Sequence, residues 1–185
     1  LIGAYLVASP NFSILLLRIL GKDDPREHFS GNPGTTNVYR QAGLPWAAVV
    51  LSLDLSRSAA IALAGILLLP MPMVGWLAVA AVLGNRFPLF HGLQGGKGVA
   101  ALLGFVLAIA PFWALGACLT WVLIYAFVRK PYVGSLAMVG VLVSGQAAAA
   151  EFHSGAILSG LIVMALVVQA HHKNIRRRGP SAPRS

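Results

Sequence analysis

Three short polar segments carry the residues of this chain that are equipped for chemistry. The first holds Ser30, Gly31, Asn32, Pro33, Gly34, Thr35, Thr36 and Asn37, with Arg40 three residues further on. Glycines let backbone amides turn toward a ligand, Ser, Thr and Asn add neutral donors, and Arg offers a planar fork that fits phosphate. The second, Gly92-Leu93-Gln94-Gly95-Gly96-Lys97-Gly98, runs directly into an apolar stretch that begins at Val99. A glycine turn at a helix start presents free amides and the positive end of the helix dipole to an anion, and Lys97 adds a full charge. It is not a Walker A loop, because Gly98 follows Lys97 where Ser or Thr would hold magnesium. The third is the tail from His171, in which His171 and Asn174 share a face of a continuing helix and can reach one ligand. Each segment also has a plainer reading: a solvated turn, a snorkelling Lys, or, for Arg176 to Arg178, a lipid-headgroup anchor. His171 and His172 lack Asp, Glu or Cys at ligand spacing, so no metal site is expected.

These segments punctuate a chain that is 57% hydrophobic and 10% charged over 185 residues. Too little polar surface is left for a soluble domain of that size, and the chain reads as an integral membrane protein. Apolar stretches run from Leu1 to Leu20, Leu44 to Leu69, Met73 to about Phe90, Gly98 to Ala110, Pro111 to Val128, Tyr132 to Ala150 and Gly155 to Ala170. A single helix from Gly98 to Val128 would be about 46 Å long, beyond a hydrocarbon core of about 30 Å, so two short spans meeting at a Pro-led turn are expected. The expected fold is all-α, a polytopic membrane bundle of about seven transmembrane helices. With that count, Lys22, Arg26, Arg40, Arg86, Lys97, Arg129, Lys130, Lys173, Arg176, Arg177, Arg178 and Arg184 fall on one face, and the opposite turns carry no Lys or Arg. The positive-inside rule then puts the N-terminus outside and the C-terminus in the cytoplasm. Residues 1–175 read as one transmembrane domain and 176–185 as a basic, disordered tail. Leu1 to Leu17 reads as a first span and not as a signal peptide, since it has no basic n-region and no small-residue cleavage pattern.

The net charge of +9 is divided among short loops with no aromatic-basic face, which favours small anions and membrane lipids over nucleic acid as partners. Cys118, the single cysteine, sits in an apolar stretch and reads as a packing residue. Asp54 and Arg57, three apart inside the second apolar stretch, are expected to pair and face the bundle, as a structural ion pair or in a direct substrate role.

In order along the chain, these segments resemble the motif set of the bacterial acyl-phosphate:glycerol-3-phosphate acyltransferase family, the small membrane enzymes of the PlsY type. The Ser-Gly-Asn-x-Gly-x-Thr-Asn-x-x-Arg motif is met by Ser30, Gly31, Asn32, Gly34, Thr36, Asn37 and Arg40. Gly-Gly-Lys-Gly-Val-Ala is met by Gly95 to Ala100, and His-x-x-Asn-Ile by His171, Asn174 and Ile175. Pro88, Phe90, Leu53-Asp54 and Gly134-Ser135-Leu136 fit as well. The resemblance implies acyl transfer from acyl phosphate to the 1-hydroxyl of glycerol 3-phosphate at the cytoplasmic face of the bacterial inner membrane, with no cofactor. It implies that Lys97 with Gly95, Gly96 and Gly98 holds one phosphate. Arg40 with Ser30, Thr36 and Asn37 would hold the other phosphate or the developing oxyanion, and His171 with Asn174 would orient glycerol 3-phosphate. Either His171 or a substrate phosphate would take the hydroxyl proton. The chain departs from the family pattern at Asn85, where His is usual, at Gln94, which replaces a Lys, at Arg57-Ser58, which replaces Lys-Gly, and at Phe29, which replaces Gly. Asn keeps a hydrogen bond but carries neither charge nor a transferable proton, so a divergent, weakly active homologue stands beside the main reading. The rival from another class is a transporter or channel for a small organic phosphate.

Overall fold

The protein is described here by a computed structural model covering residues 1–176, so the expected tail lies outside the described residues except for Arg176. Among these residues every regular element is helical: α1 (Ile2–Ala8), α2 (Phe12–Ile19), α3 (Thr35–Ala42), α4 (Leu44–Leu68), α5 (Met71–Arg86), α6 (Val99–Ile109), α7 (Pro111–Val128), α8 (Pro131–Ala149), α9 (Ser154–Ala170) and α10 (His172–Arg176), with one 3-10 turn at Leu89–His91. Five stretches are long and apolar enough to cross a bilayer, namely Ile2–Ile19, Leu44–Leu68, Met71–His91, Pro111–Val128 and Pro131–Ala149, while α6 and α9 are shorter apolar helices. The seven apolar segments expected from the sequence are therefore all helical. The division between α6 and α7 falls at Ala110, whose φ of −149° and ψ of 68° leave the helix just before Pro111 opens the next one. Proline suits that first position because it lacks the N–H that would go unpaired there.

The first segment is long and apolar enough for the single span expected, but its helix is broken in the middle. Pro10 interrupts it, and Asn11 starts α2 by accepting the Ile14 N–H on Oδ1 at 3.1 Å. The Asn11 Nδ2 donates to the Pro33 carbonyl at 3.2 Å, so the break also anchors the first polar loop. From α4, Arg57 donates through Nη1 to the Pro10 carbonyl and through Nη2 to Asp54 Oδ1 at 2.8 Å, with its guanidinium 4.7 Å above the Phe12 ring. Both charged side chains are buried. The pair thus supplies a donor where proline has opened the helix, which is structural work. Pro10 followed by Asn11 was the available signal, a breaker and an N-cap in mid-segment.

Lipid tails are as apolar as leucine, so helices in a bilayer associate by close packing and polar contacts. A Cβ on Gly104 would lie 2.4 Å from the Leu55 carbonyl oxygen, so α4 and α6 touch backbone to backbone. Leu102, Phe105, Val106, Leu142 and Val163 fill the centre, and Gln146 Nε2 donates to Ser159 Oγ at 2.9 Å to join α8 with α9. Cys118, expected to pack inside, is exposed on the outer surface of α7 among Leu115, Leu119 and Val122. That surface is apolar, and in a bilayer it is the face toward lipid. At one end of the bundle the α4–α5 and α8–α9 turns meet around Pro72, Glu151 and His153. The polar loops gather at the other end.

Candidate active site

At its C-terminus α5 receives the glycine loop, which folds back onto it. Gly95 N–H donates to the Arg86 carbonyl at 3.1 Å and Gly96 N–H to the Asn85 carbonyl at 2.9 Å. Gly98 N–H donates to Asn85 Oδ1 at 3.1 Å. Gly98 has φ of +83°, and a Cβ there would meet Val82 at 2.8 Å, so the turn admits only glycine. The arrangement differs from the one expected: the amides of Gly95, Gly96 and Gly98 face α5, not an anion, and Lys97 is what the loop presents. Asn85 is suited to this duty because the amide it serves needs an acceptor and no charge.

Lys97 Nζ donates to Asn174 Oδ1 at 2.6 Å, joining the second segment to the third. His171, at the end of α9, is 2% exposed. Its Nδ1 lies 2.8 Å from the Val167 carbonyl, which assigns the proton to Nδ1 and leaves the lone pair on Nε2. Burial first, then the nearby Arg86 charge, pulls the Lys97 ammonium down to about 8. Burial, then Lys97, pulls the His171 imidazolium down to about 4, the Val167 carbonyl opposes this, and Arg86 adds to it. At neutral pH the site therefore holds a charged Lys97 beside a neutral His171.

The first loop is organised around Asn37, which is 1% exposed. Its Nδ2 donates to the Pro25 and His28 carbonyls at 3.1 and 3.2 Å, and its Oδ1 accepts from Ser30 Oγ at 3.2 Å. The side chain expected to contact substrate is thus occupied in shaping the loop and aiming Ser30. Gly31 turns the chain with φ of +67°, and Gly34, beside Asn32, precedes α3 with no side chain capping the helix start. Thr36 and Arg40 are exposed on α3, and the Arg40 guanidinium lies 5.6 Å above the Phe29 ring. A Cβ on Gly96 would be 3.5 Å from the Pro33 carbonyl, which marks where the first and second loops touch. Arg26, clamped by Asp24 with the shortest contact at 2.6 Å, ties the first loop to the second through the His91 carbonyl at 2.9 Å. A cavity of about 520 Å³ beside this junction is lined by Arg18, Lys22, Asp24, Arg26, Phe90 and His91, none of them an expected site residue.

The structure thus joins Lys97 directly to Asn174, sets His171 one turn before Asn174 and within electrostatic reach of Lys97, and brings the Pro33 turn against Gly96. Arg40 and Thr36 reach none of these by hydrogen bond. Two contributors went unread in the sequence: Asn85 as the anchor of the glycine loop, and Arg86 as a charge within electrostatic reach of Lys97 and His171. The signal for Asn85 is its place at a family motif position, where Asn keeps a hydrogen bond, while Arg86 offers only its proximity to the glycine loop and its charge on one membrane face.

A family model described as glycerol-3-phosphate acyltransferase matches residues 1–179. The chain belongs to that family. A glycerol-3-phosphate acyltransferase of Neisseria meningitidis serogroup C is 38% identical over 179 residues, covering 93% of this chain and 88% of the relative. One from Methylobacillus flagellatus is 37% identical over 177 residues, covering 95% and 90%. The fold matches a crystal structure of PlsY, described as an integral membrane glycerol 3-phosphate acyltransferase in its glycerol 3-phosphate form. The TM-score is 0.88 at 31% identity, covering 95% of this chain and 88% of that one. The same enzyme in its lysophosphatidic acid form matches with a TM-score of 0.85 at 30% identity, covering 94% and 87%. These family relatives are named as acyltransferases, and this chain shares the fold of the solved PlsY structures.

Proposed function

We propose that this chain transfers a fatty acyl group from acyl phosphate to the 1-hydroxyl of glycerol 3-phosphate, giving lysophosphatidate and inorganic phosphate. The observation that carries the assignment is the junction of Lys97 with Asn174 at 2.6 Å beside a neutral His171. It places a cation, a neutral donor and an imidazole lone pair together at the polar end of an apolar bundle, where a phosphate ester and an acyl chain meet. The hydroxyl oxygen attacks the acyl carbonyl carbon, the bond from that carbon to the phosphate oxygen breaks, and phosphate leaves. The proton of the attacking hydroxyl goes to His171 Nε2, the acceptor we assign. Binding of a phosphate dianion favours the imidazolium and so strengthens this base relative to the empty site.

Lys97 holds one phosphate, and Asn174 orients the glycerol. Arg40, Ser30, Thr36 and the uncapped start of α3 face the second phosphate or the oxyanion, while Gly31, Asn32, Gly34 and Asn37 give the loop its shape. Apolar helix faces receive the acyl chain. The charge distribution supports seven crossings with the N-terminus outside and the site in the cytoplasm, in a bacterial inner membrane. The gathering of polar groups at one end also weighs against a transporter, whose site is expected near the midplane.

The test is purified protein given acyl phosphate and glycerol 3-phosphate, with an acyl thioester as a parallel donor. Lysophosphatidate from acyl phosphate alone is the expected result. No product, together with glycerol 3-phosphate uptake by vesicles carrying the protein, would overturn the reading in favour of transport.

A further inference from the structure

Arg86 ends α5 directly beneath the glycine loop, its carbonyl accepting the Gly95 N–H. Its guanidinium lies 5.3 Å from the centre of the Phe87 ring, and its buried Nε has no partner. A partly buried cation needs a counter-charge. The sequence offers five Asp and Glu side chains. Asp24 pairs with Arg26, Asp23 with His28, and Asp54 with Arg57. Glu27 is exposed in the first loop, and Glu151 lies in the turn at the far end. Among the described residues none of them pairs with Arg86 or Lys97, so two cations within electrostatic reach of each other have no anionic partner there. The side chains of Asn85, bonded to the Gly98 N–H, and Asn174, bonded to Lys97, are neutral.

We propose that Arg86 and Lys97 form a two-cation clamp for a phosphate monoester dianion, with Arg86 binding the phosphate directly. This rests on the acyltransferase reading and deepens it by assigning a second cation to the same phosphate. An Arg fork and a Lys ammonium divide the work well: the fork fixes orientation through paired N–H donors, and the ammonium supplies a compact point charge. The Gly95 N–H to Arg86 carbonyl and Gly96 N–H to Asn85 carbonyl bonds hold the Lys97 loop against the end of α5; Asn174 from α10 bonds Lys97 Nζ, Arg86 and His171 lie within electrostatic reach of it, and no acid is among these groups. A dianion seated between the cations removes their mutual repulsion. Lys97, at about 8 in the empty site, therefore binds its proton more tightly when phosphate is present. Above that pH, phosphate binding is coupled to proton uptake.

Calorimetric titration of the purified full chain tests this at pH 8.5, in two buffers of different ionisation enthalpy. The probes are glycerol 3-phosphate, inorganic phosphate and a non-hydrolysable acyl phosphonate, which distinguish the two substrates as the source of the clamped group. The unaltered chain is expected to take up protons on binding and to lose affinity as pH rises above 8. Arg86→Gln should weaken binding about tenfold or more, roughly one charge-assisted contact. It should also shrink the proton uptake, because Lys97 without its neighbour stays charged to higher pH. Arg86→Lys should keep binding within a few-fold. Binding by Arg86→Gln within twofold, with unchanged proton uptake, would overturn the clamp and leave the acyltransferase reading standing. Equal losses in Arg86→Lys and Arg86→Gln with unaltered uptake would make Arg86 structural and overturn it too. An unaltered chain that bound none of the probes would overturn the acyltransferase reading itself.

Discussion

Replacing Lys97 by methionine keeps the stem of the side chain and removes its charge and its bond to Asn174, so it isolates what the ammonium does. The site is partly buried and no carboxylate pairs with Lys97. A phosphate bound there therefore loses a charge-assisted contact, ordinarily about 1.5–3 kcal/mol, and more where the anion is left without a partner, about 3–5 kcal/mol. Taking about 3 kcal/mol for a half-open site, with about 1.4 kcal/mol per decade, Lys97→Met should lower kcat/KM roughly 150-fold. Stability should move the other way. The folded-state value of about 8 lies below the ordinary 10.5, so between those pH values the unfolded chain binds more protons and stability rises with pH. Below about 8 the full cost of the buried charge is present in the unaltered chain and absent in the variant. Lys97→Met is therefore expected to melt at a higher temperature at pH 7, with the difference gone by about pH 10.5. Steady-state kinetics and thermal unfolding in the same detergent read both quantities. A variant within tenfold of the unaltered activity, or one less stable at pH 7, would refute the reasoning.

Three further outcomes are expected. Asn85→Ala strands the buried Gly98 N–H, costs about 1–3 kcal/mol of stability, and lowers activity by loosening the loop that carries Lys97; thermal melts and kcat/KM check both. His171→Gln keeps a polar side chain but removes the base, so kcat should fall about 10²- to 10⁴-fold with glycerol 3-phosphate affinity by calorimetry changed far less. Arg57→Met leaves Asp54 buried alone and should cost about 3–5 kcal/mol, while Asp54→Leu combined with Arg57→Met should recover part of that loss because no uncompensated charge remains; denaturation in detergent compares the two.

The apolar segments, the division before Pro111 and the one-ended gathering of polar residues were legible because each depends on composition or on proline, which sequence shows directly. The pairing of the His171–Asn174 segment with Lys97 was legible through the motif order. The direction of the glycine amides was not. Glycine content says that a loop can bend, but whether an N–H faces a ligand or the preceding helix depends on Asn85, thirteen residues before Gly98. Asn37 misled for a related reason: an amide side chain can bind substrate or hold two backbone carbonyls, and only burial decides. Cys118 failed because an apolar neighbourhood in a membrane helix describes lipid as well as core. Arg86 stayed hidden because a single Arg beside an apolar segment reads first as a marker of membrane side.

The bond from Arg57 to the Pro10 carbonyl joins residues 47 apart. Until the second pass of the chain reaches the membrane, the interrupted first pass leaves that carbonyl in hydrocarbon without its donor, where an unpaired backbone group costs several kcal/mol. The second pass, for its part, carries an acid and a base poorly suited to entering lipid unaccompanied. Neither is a finished element when it leaves the ribosome. Each supplies the partner that the other lacks in lipid, so the two segments are expected to be stable in the bilayer only as a pair.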